Sequence, residues 1–316
     1  MNSTELQKAI DCAAPGAVIT LQPGTHYSGN FILRYKSGYD RTAAKRITIQ
    51  SQDLASLPSG RVSPSDCRIA PCGSDDTFMP SLEVPSGSGS PVLATELISG
   101  HAASGYNLVG IKFSTSHWVS TLVRLGTGTE GADSALPADI TFDRSYFAGS
   151  TGEGSKCGLL GNANNLVVSN SYFKDFKDTA NDARAILIWN AQGPFAIQNN
   201  YLEGSGENFM SGGGDPTISN LIPSDITITG NYFFKPPAWT TETSTQSGTP
   251  FGKKWRIKNL LELKNAERVT VDGNVFENNW IQADQQGFGI VCSPRGIRAV
   301  AVCGARSTTS PSRTMC

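Results

Sequence analysis

The stretch I-T-I-T-G-N-Y-F, at residues 226–233, decides the fold because variants of it recur along the chain. Two or three alternating β-branched residues lead to a polar corner, usually asparagine, and then to an aromatic or aliphatic pair. Other copies occupy residues 108–113, 140–147, 167–173, 196–202 and 269–276. The copies end at the equivalent residues Phe113, Phe147, Phe173, Leu202, Phe233 and Phe276. Successive members of this series are 34, 26, 29, 31 and 43 positions apart. A strand-type repeat of about 30 residues predicts an all-β solenoid.

Each copy alternates apolar and polar residues with a period of two, so one face of a short strand is buried. The asparagine after the alternating stretch tolerates the left-handed backbone of a tight corner. Asparagines at successive corners can also hydrogen-bond to one another along a solenoid. A β-sandwich with asparagine in its hairpin turns is the alternative, but a sandwich does not require the same phrase about every 30 residues.

Each coil is predicted to hold about three strands, with the asparagine corner between the second and the third. The strands upstream of the phrase are Thr121–Leu125, Gly158–Leu160, Ala185–Trp189, Asn208–Ser211 and Leu260–Lys264. Near the N-terminus, a capped helical segment from Ser3 precedes Pro15 and would protect the open end of the solenoid. Segment 52–105 is rich in Ser, Gly and Pro and is expected to be a long loop, and 234–259 is expected to be an insertion.

Composition favours one folded domain and excludes several partners. The 316-residue chain has a net charge of −1, so no electrostatic argument supports nucleic acid or an anionic membrane. No apolar run of the sequence approaches the roughly 20 residues needed to span a bilayer. Seven cysteines, an odd number without metal-ligand spacing, predict no disulfide framework. We therefore expect a monomer with neither nucleic-acid nor membrane partners.

The opening L-Q-K-A-I-D-C-A-A-P-G-A-V-I-T-L-Q-P-G-T, at residues 6–25, and the repeated phrase resemble the pectate lyase clan. Residues 200–216 and 259–280 are similar to a group of bacterial β-helix proteins of that clan. The resemblance implies a single-stranded right-handed parallel β-helix over residues 1–291, with a short N-terminal capping helix. The clan includes lyases, hydrolases, epimerases and phage adhesins, so fold alone does not select an activity.

The repeat stops after Val291, and segment 292–316 shows neither an asparagine corner nor sustained alternation. Codons exist for residues 291–316 whose frame, shifted by two bases, ends in D-I-T-L-T-H-N-V, another copy of the phrase. We expect a frameshift near codon 291, which would leave segment 292–316 out of frame. The nucleotide sequence tests this expectation, because codons that do not encode the phrase would rule it out.

Lys264 and Glu262 are the leading candidates for catalysis. Positions two apart on a strand share a face, so Leu261 and Leu263 are predicted to face the core while Glu262 and Lys264 face outward. A lysine can act as base in β-elimination, and a neighbouring charged group can neutralise or balance a uronate. A surface ion pair without a catalytic role is the alternative.

The resemblance adds an arginine to this lysine. In β-helix polysaccharide enzymes, outward residues of the first strand of each coil form the floor of the substrate cleft. In the alginate lyase and chondroitinase branch, a lysine on one coil and an arginine on the next act as base and acid. The resemblance therefore implies Lys264 as base, with Arg295, one coil later, assisting. Arg184 is the alternative assisting residue and could bind a sugar acid.

Three carboxylates around the glycines of segment 212–214, those of Glu203, Glu207 and Asp215, could bind a cation or act in hydrolysis. Glu207, Asp215 and Glu262 are the candidate ligands, because Ca²⁺ takes several oxygen ligands. Two carboxylates from this region, which also includes Glu203, could instead supply the acid and base of a glycoside hydrolase. The alternative is a tight glycine turn with solvated carboxylates.

Side chains that could bind a sugar lie near these positions. Trp189 could stack on a sugar ring, although a single tryptophan in a strand more often packs in the core. Trp239 and Trp255 belong to the insertion 234–259 and are predicted to form a sugar-stacking wall. Asn208 and Asn265 are further candidates for substrate binding.

Taken together, these residues predict a carbohydrate-active protein, secreted or periplasmic, that acts on acidic polysaccharide by β-elimination. No signal peptide is recognisable at the N-terminus, so we expect that signal to be absent from this chain. Two alternatives stay open: a glycoside hydrolase with paired carboxylates, and a non-catalytic carbohydrate-binding or surface protein. The polysaccharide is the expected partner, and Ca²⁺ is the expected cofactor if the carboxylates converge.

Overall fold

The protein is a right-handed parallel β-helix, described here from a computed structural model. The structure describes residues 1–249, 252–282, 286–292, 300–303 and 306–307. Across these residues, the strands stack coil upon coil into three parallel sheets, which we name A, B and C in the order the chain enters them. The core is the single apolar column enclosed by the three sheets. The predicted fold class is confirmed.

The strand bounds follow the repeat. Sheet A contains Val18–Leu21, Ile47–Ser51, Ser104–Val109, Ala138–Asp143, Asn164–Ser169, Phe195–Gln198, Ser224–Thr229, Glu267–Asp272 and Val300–Cys303. Sheet B contains His26–Ser28, Ser81–Glu83, Lys112–Ser114, Tyr146–Ala148, Tyr172–Phe176, Tyr201–Gly204, Tyr232–Phe234, Val275–Glu277 and Arg306–Ser307. Sheet C contains Phe31–Leu33, Leu93–Thr95, Val123–Leu125, Cys157–Gly161, Arg184–Ile188, Glu207–Ser211, Leu261–Leu263 and Ile290–Cys292.

One α-helix, Ser3–Cys12, covers the first coil. Its N-cap residue Asn2 and Glu5 form a reciprocal capping box, and Leu6 and Ile10 are buried against the core. The remaining elements are a hairpin, Leu97–Ile98 with His101–Ala102, and the 3₁₀ turns Ala43–Lys45, Leu54–Ser56, Asp75–Phe78, Asp133–Ala135 and Pro237–Thr240. Within the described ranges, no helix has the length and apolar character to cross a membrane.

The corner between sheets A and B contains the predicted asparagine ladder. Nδ2 of Asn200 donates to Oδ1 of Asn231 at 3.0 Å, and Nδ2 of Asn231 donates to Oδ1 of Asn274 at 2.9 Å. All three side chains are buried, so these bonds satisfy amide groups that water cannot reach. The left-handed residue is the one before each ladder position, such as Asn199 (φ 52°) and Gly230 (φ 66°).

The aromatic end of the phrase faces the core in a single register. Phe147 stacks on Phe173 with ring centroids 4.1 Å apart, and Phe233 stacks on Phe276 at 4.6 Å. The residues treated as equivalent in the sequence are paired in the structure, namely Phe113, Phe147, Phe173, Leu202, Phe233 and Phe276. The neighbouring position of the phrase forms a second row on the outer face of sheet B, which contains Tyr146, Tyr172 and Tyr201.

Segment 52–105 is not one loop, contrary to the sequence-based expectation. Ser81–Glu83 joins sheet B and Leu93–Thr95 joins sheet C, because each pairs with strands of the coils before and after it. The irregular part is segment 52–80, which packs on the outer row of tyrosines through Leu57, Val62 and Met79. This loop therefore covers sheet B.

A disulfide between Cys67 and Cys72 closes the tip of this loop, so the expectation that the cysteines form no framework is wrong for this pair. The two cysteines are five positions apart with a proline between them, and this spacing alone did not predict that they form a disulfide. Between the two cysteines, Arg68 reaches the carboxylates of Asp175 (2.6 Å) and Glu203 (3.4 Å) on sheet B. Burial raises the pKa of Glu203 to about 7.

The insertion 234–259 folds back over the turns between sheets B and C. Trp239, Trp255 and Ile257 form its own small apolar core. Lys177 enters this core: its ammonium lies 4.8 Å from the ring centroid of Trp255 and 5.5 Å from that of Trp239. A buried cation of the coil thus contacts the core of the insertion, in addition to backbone hydrogen bonds such as that from the Arg256 amide to the Asp178 carbonyl.

Candidate functional site

The outer face of sheet C carries a groove between the turns that enter and leave the sheet. Register places Arg124, Leu160 and Leu187 side by side on three successive strands, at positions that face away from the core. Met210 and Glu262 continue the row on the next two strands. A cavity of about 270 Å³ lies over the centre of the row. We name it the sheet C groove; its lining is Ser120, Thr121, Lys156, Cys157, Leu160, Arg184, Leu187, Trp189 and residues 212–214.

Two cations border the groove where the strands begin. Lys156 directly precedes Cys157–Gly161, and Arg184 begins the next strand. Arg184 is 13% exposed, with Nε 3.1 Å from Oε2 of Glu207 and a terminal nitrogen 3.7 Å from Oδ2 of Asp182. The Lys156 side chain is half-buried and has no hydrogen-bond or ion-pair partner among the residues that the structure describes. The groove therefore contains one paired and one unpaired positive charge.

Arg124 extends this positive charge along the row. It occupies the outward position of Val123–Leu125, next to Leu160. Its Nε is buried and has no hydrogen-bond partner within the described ranges. A buried donor without a partner costs about 1–3 kcal/mol, so an acceptor that enters here would relieve that cost.

Trp189 closes the opposite side of the groove, where the strands end. Gly128 makes room for the indole, because a Cβ built on this residue would lie 2.2 Å from Cζ2 of Trp189. Gly128 also has a φ of 83°, which few residues other than glycine adopt. Glu130 stabilises the loop that contains Gly128, because its carboxylate accepts hydrogen bonds from the backbone amides of Thr127 and Gly128. Trp189 is half-buried in a slot that only glycine permits.

Behind Arg184 lies a buried carboxylate. Glu207 is fully buried, and its Oε1 is 3.7 Å from Nζ of Lys258. Burial raises the pKa of Glu207 to about 7, against the opposing effect of Arg184. Close by, burial lowers the pKa of Lys235 to about 7, and its ammonium donates to the carbonyls of Ser205 (2.9 Å) and Gly206 (3.1 Å). Glu207 thus holds Arg184 from behind, and the buried Glu207, Lys235 and Lys258 are not accessible to a large substrate.

Glu207→Gln is expected to change how stability depends on pH. The carboxyl titrates at 4.5 when exposed and at about 7 in the folded protein. Because the pKa is raised in the folded protein, the stabilising contribution of the Glu207 carboxyl group is fully present below pH 4.5. It is lost as the pH rises through about 7. Across that pH range the free energy of unfolding of the wild type should fall by up to about 3 kcal/mol relative to that of Glu207→Gln. Denaturant titrations of both proteins at several pH values measure the difference, and parallel pH profiles would contradict the expectation.

Three of the predicted substrate-binding side chains are buried, which corrects the sequence-based assignment. Trp239 and Trp255 are 0% and 1% exposed, so they form the core of the insertion and not a sugar-stacking wall. Asn208 is also fully buried, and its amide donates to the carbonyls of Leu202 and Phe234. These roles are structural because no sugar can reach the side chains.

Lys264 and its neighbours lie where the strands of sheet C end. Leu261 and Leu263 face the core as predicted, and Nζ of Lys264 is 3.3 Å from Oε1 of Glu262. Lys264 is 38% exposed but does not line the sheet C groove. Asn265, beside it, is half-buried and accepts the Ser211 hydroxyl through its carbonyl. The structure does not bring Lys264 into the groove with Arg184, and its role as base stays a prediction.

The three predicted calcium ligands are not gathered into one site. Glu207 begins its strand under the insertion, Asp215 is exposed beyond the other end of that strand, and Glu262 pairs with Lys264. The described part of the chain contains no group of three or more His, Cys, Asp or Glu side chains placed to hold a metal ion. Calcium binding stays a prediction. Arg295 lies outside the described residues.

Sequence reasoning missed Lys156 and Arg124. Arg124 could have been found, because it is the central, outward residue of the strand V-R-L in a coil that the repeat had already located. Lys156 lies in a turn, where no periodicity predicts the direction of a side chain. Its position in the groove depends on how the preceding turn returns to sheet C.

Neither a protein-family model nor a curated protein matches this sequence. Among solved structures, an alginate lyase from Paenibacillus sp. str. FPU-7 aligns over 98% of this chain and 95% of its own, with 15% identity and a TM-score of 0.47. The pectate lyase Pel9A aligns over 98% and 72%, with 13% identity and a TM-score of 0.46. The Dettilon tailspike protein aligns over 96% and 59%, with 10% identity and a TM-score of 0.40. These similarities concern the fold alone.

Proposed function

We propose that this protein binds an acidic polysaccharide in the sheet C groove and cleaves it by β-elimination. The observation that carries the proposal is Lys156, a cation in the groove with no partner among the described side chains, next to Arg184. Arg124 adds a third positive charge one strand away. Several positive charges in a groove with low-dielectric walls raise the local concentration of anionic substrates.

The chemistry assigns a different task to each cation. Arg184, fixed by Glu207, would neutralise the uronate carboxylate and so acidify the proton on the adjacent ring carbon. Neutral Lys156 would remove that proton, and the electron pair would form a carbon–carbon double bond as the bond to the bridging oxygen breaks. The ammonium formed on Lys156 would return its proton to that oxygen, so charge and atoms balance.

Hydrolysis fits the groove less well. A glycosidase needs two carboxyl groups that flank the scissile bond. Glu203 and Glu207 have suitably raised pKa values, but both are fully buried and paired with arginines. No carboxylate is among the residues that line the groove.

The proposed location is outside the cytoplasm, either secreted or periplasmic. A polysaccharide of this kind is an extracellular polymer. The disulfide between Cys67 and Cys72 also supports an oxidising compartment, because such bonds are rare in the cytosol.

The test is to incubate the full chain with alginate, pectate and glycosaminoglycans and to record the ultraviolet absorbance of the new double bond. We expect absorbance to rise with one of these polymers, and to rise more slowly at high salt because screening weakens the attraction of the groove.

Each other outcome contradicts a defined part of the proposal. New reducing ends without absorbance would mean hydrolysis. Saturable binding without any cleavage would leave a carbohydrate-binding protein and rule out the elimination. Absence of binding to all three polymers would rule out the groove as a site for acidic polysaccharide.

A further inference from the structure

The floor of the sheet C groove is aliphatic. Leu160 and Leu187 are adjacent in register and lie between the cations at one side and Trp189 at the other. Leu187 is only partly buried, so part of its side chain is open to the groove. A plain uronate chain offers this floor mainly hydroxyl and carboxylate groups, which it cannot hydrogen-bond. The floor therefore suits a substrate that carries a small apolar substituent.

Hydrogen-bond donors without partners lie beside this floor. Nε1 of Trp189 donates to no described residue, and neither do the backbone amides of Gly213 and Gly214. Gly213 has a φ of 91°, a backbone conformation that few residues other than glycine adopt. Together these residues offer an apolar floor next to free N–H groups. A substituent that combines a methyl group with a carbonyl oxygen matches both features.

We propose that the groove recognises an acidic polysaccharide that carries acetyl groups. The methyl group would pack on Leu160 and Leu187, the carbonyl oxygen would accept a hydrogen bond from Nε1 of Trp189, and the carboxylate would face Lys156 and Arg184. The cavity of about 270 Å³ is near the lower end for ligand pockets, so it suits one substituted sugar unit of a longer chain. The inference rests on the proposed function, since it names the substrate class of the same groove.

The experiment compares polymers that differ only in the acetyl group. One pair is O-acetylated alginate and the same batch after mild alkaline removal of its acetyl groups. The second pair is hyaluronan and its N-formyl derivative, which keeps the charge and the amide carbonyl but lacks the methyl group. For at least one pair we expect about fourfold tighter binding of the acetylated form, as burial of one methyl group predicts. The pair that shows it distinguishes O-acetyl from N-acetyl recognition.

Two variants connect the preference to the floor. Leu187→Ala should bring the ratio of the two dissociation constants close to one. Leu97→Ala, which shortens a side chain that is 51% exposed on the hairpin, should leave the ratio as in the wild type. Equal binding within both pairs, or tighter binding of the acetyl-free forms, would overturn the inference while the proposed function stands. Absence of binding to all four polymers would overturn the inference, and the proposed function falls with it only if pectate also fails to bind.

Discussion

Lys156→Arg is expected to lower the rate of β-elimination by about 10²–10⁴-fold, the usual contribution of a positioned general base. Arginine keeps the positive charge of the groove, yet it stays protonated at any pH at which the protein is folded, so it cannot accept a proton. Affinity for the polymer should change by no more than about twofold, because the charge is retained. Initial rates from ultraviolet absorbance and dissociation constants from calorimetry, measured on the same polymer, separate the two effects.

The matched control is Lys264→Arg, which makes the same substitution at the lysine that the sequence predicted as base. If Lys156 is the base, Lys264→Arg should keep the wild-type rate, since Lys264 pairs with Glu262 and does not line the groove. The reverse pattern, with Lys264→Arg inactive and Lys156→Arg active, would restore the sequence-based assignment. Full activity in both variants would show that neither lysine is the base.

Lys177→Ala is expected to lower the free energy of unfolding by about 3–5 kcal/mol, as removal of one partner from a buried ion pair usually does. The Lys177 side chain is fully buried, with Nζ 3.1 Å from Oδ1 of Asp175 and 2.9 Å from Oε2 of Glu242. Alanine would leave the buried Asp175 with Arg68 and the Thr151 hydroxyl as its described side-chain partners and would open a cavity beside Trp239 and Trp255. Urea titration, followed by the fluorescence of these tryptophans, measures the loss.

Lys254→Ala is the control for this prediction because it removes a lysine from the same insertion. Lys254 is exposed and, among the residues that the structure describes, donates only to the carbonyls of Thr240 and Thr241. Its replacement should change stability by less than about 1 kcal/mol, as is usual for exposed charges. Equal losses in the two variants would mean that Lys177 does not attach the insertion to the coil.

The repeat alone predicted the fold and much of its register. Phe147, Phe173 and Phe233 were aligned by their place in the phrase, and they face the core in the paired rows expected. The asparagine ladder from Asn200 to Asn274 was predicted in the same way. The reason is physical: a period of two selects the buried face of each strand, and identical coils stack with identical residues in contact.

The site was only partly predictable. Arg184 was a candidate to assist the base and Trp189 a candidate to stack on a sugar, and both line one groove in the structure. Trp239 and Trp255 were assigned to the surface because they lie in a long insertion, but the insertion folds around Lys177 and buries them. Lys156 was missed because the direction of a side chain in a turn has no sequence period.

The sequence by itself determined the coil, the corner and the face of each strand, because these depend on residues a few positions apart and on their repetition. Only the tertiary structure decided which outer face is covered and which is open. Loop 52–80 covers the tyrosine row of sheet B, whereas the groove on sheet C stays accessible. Such coverage depends on contacts between distant segments, for example Arg68 with Asp175, and no local pattern encodes them.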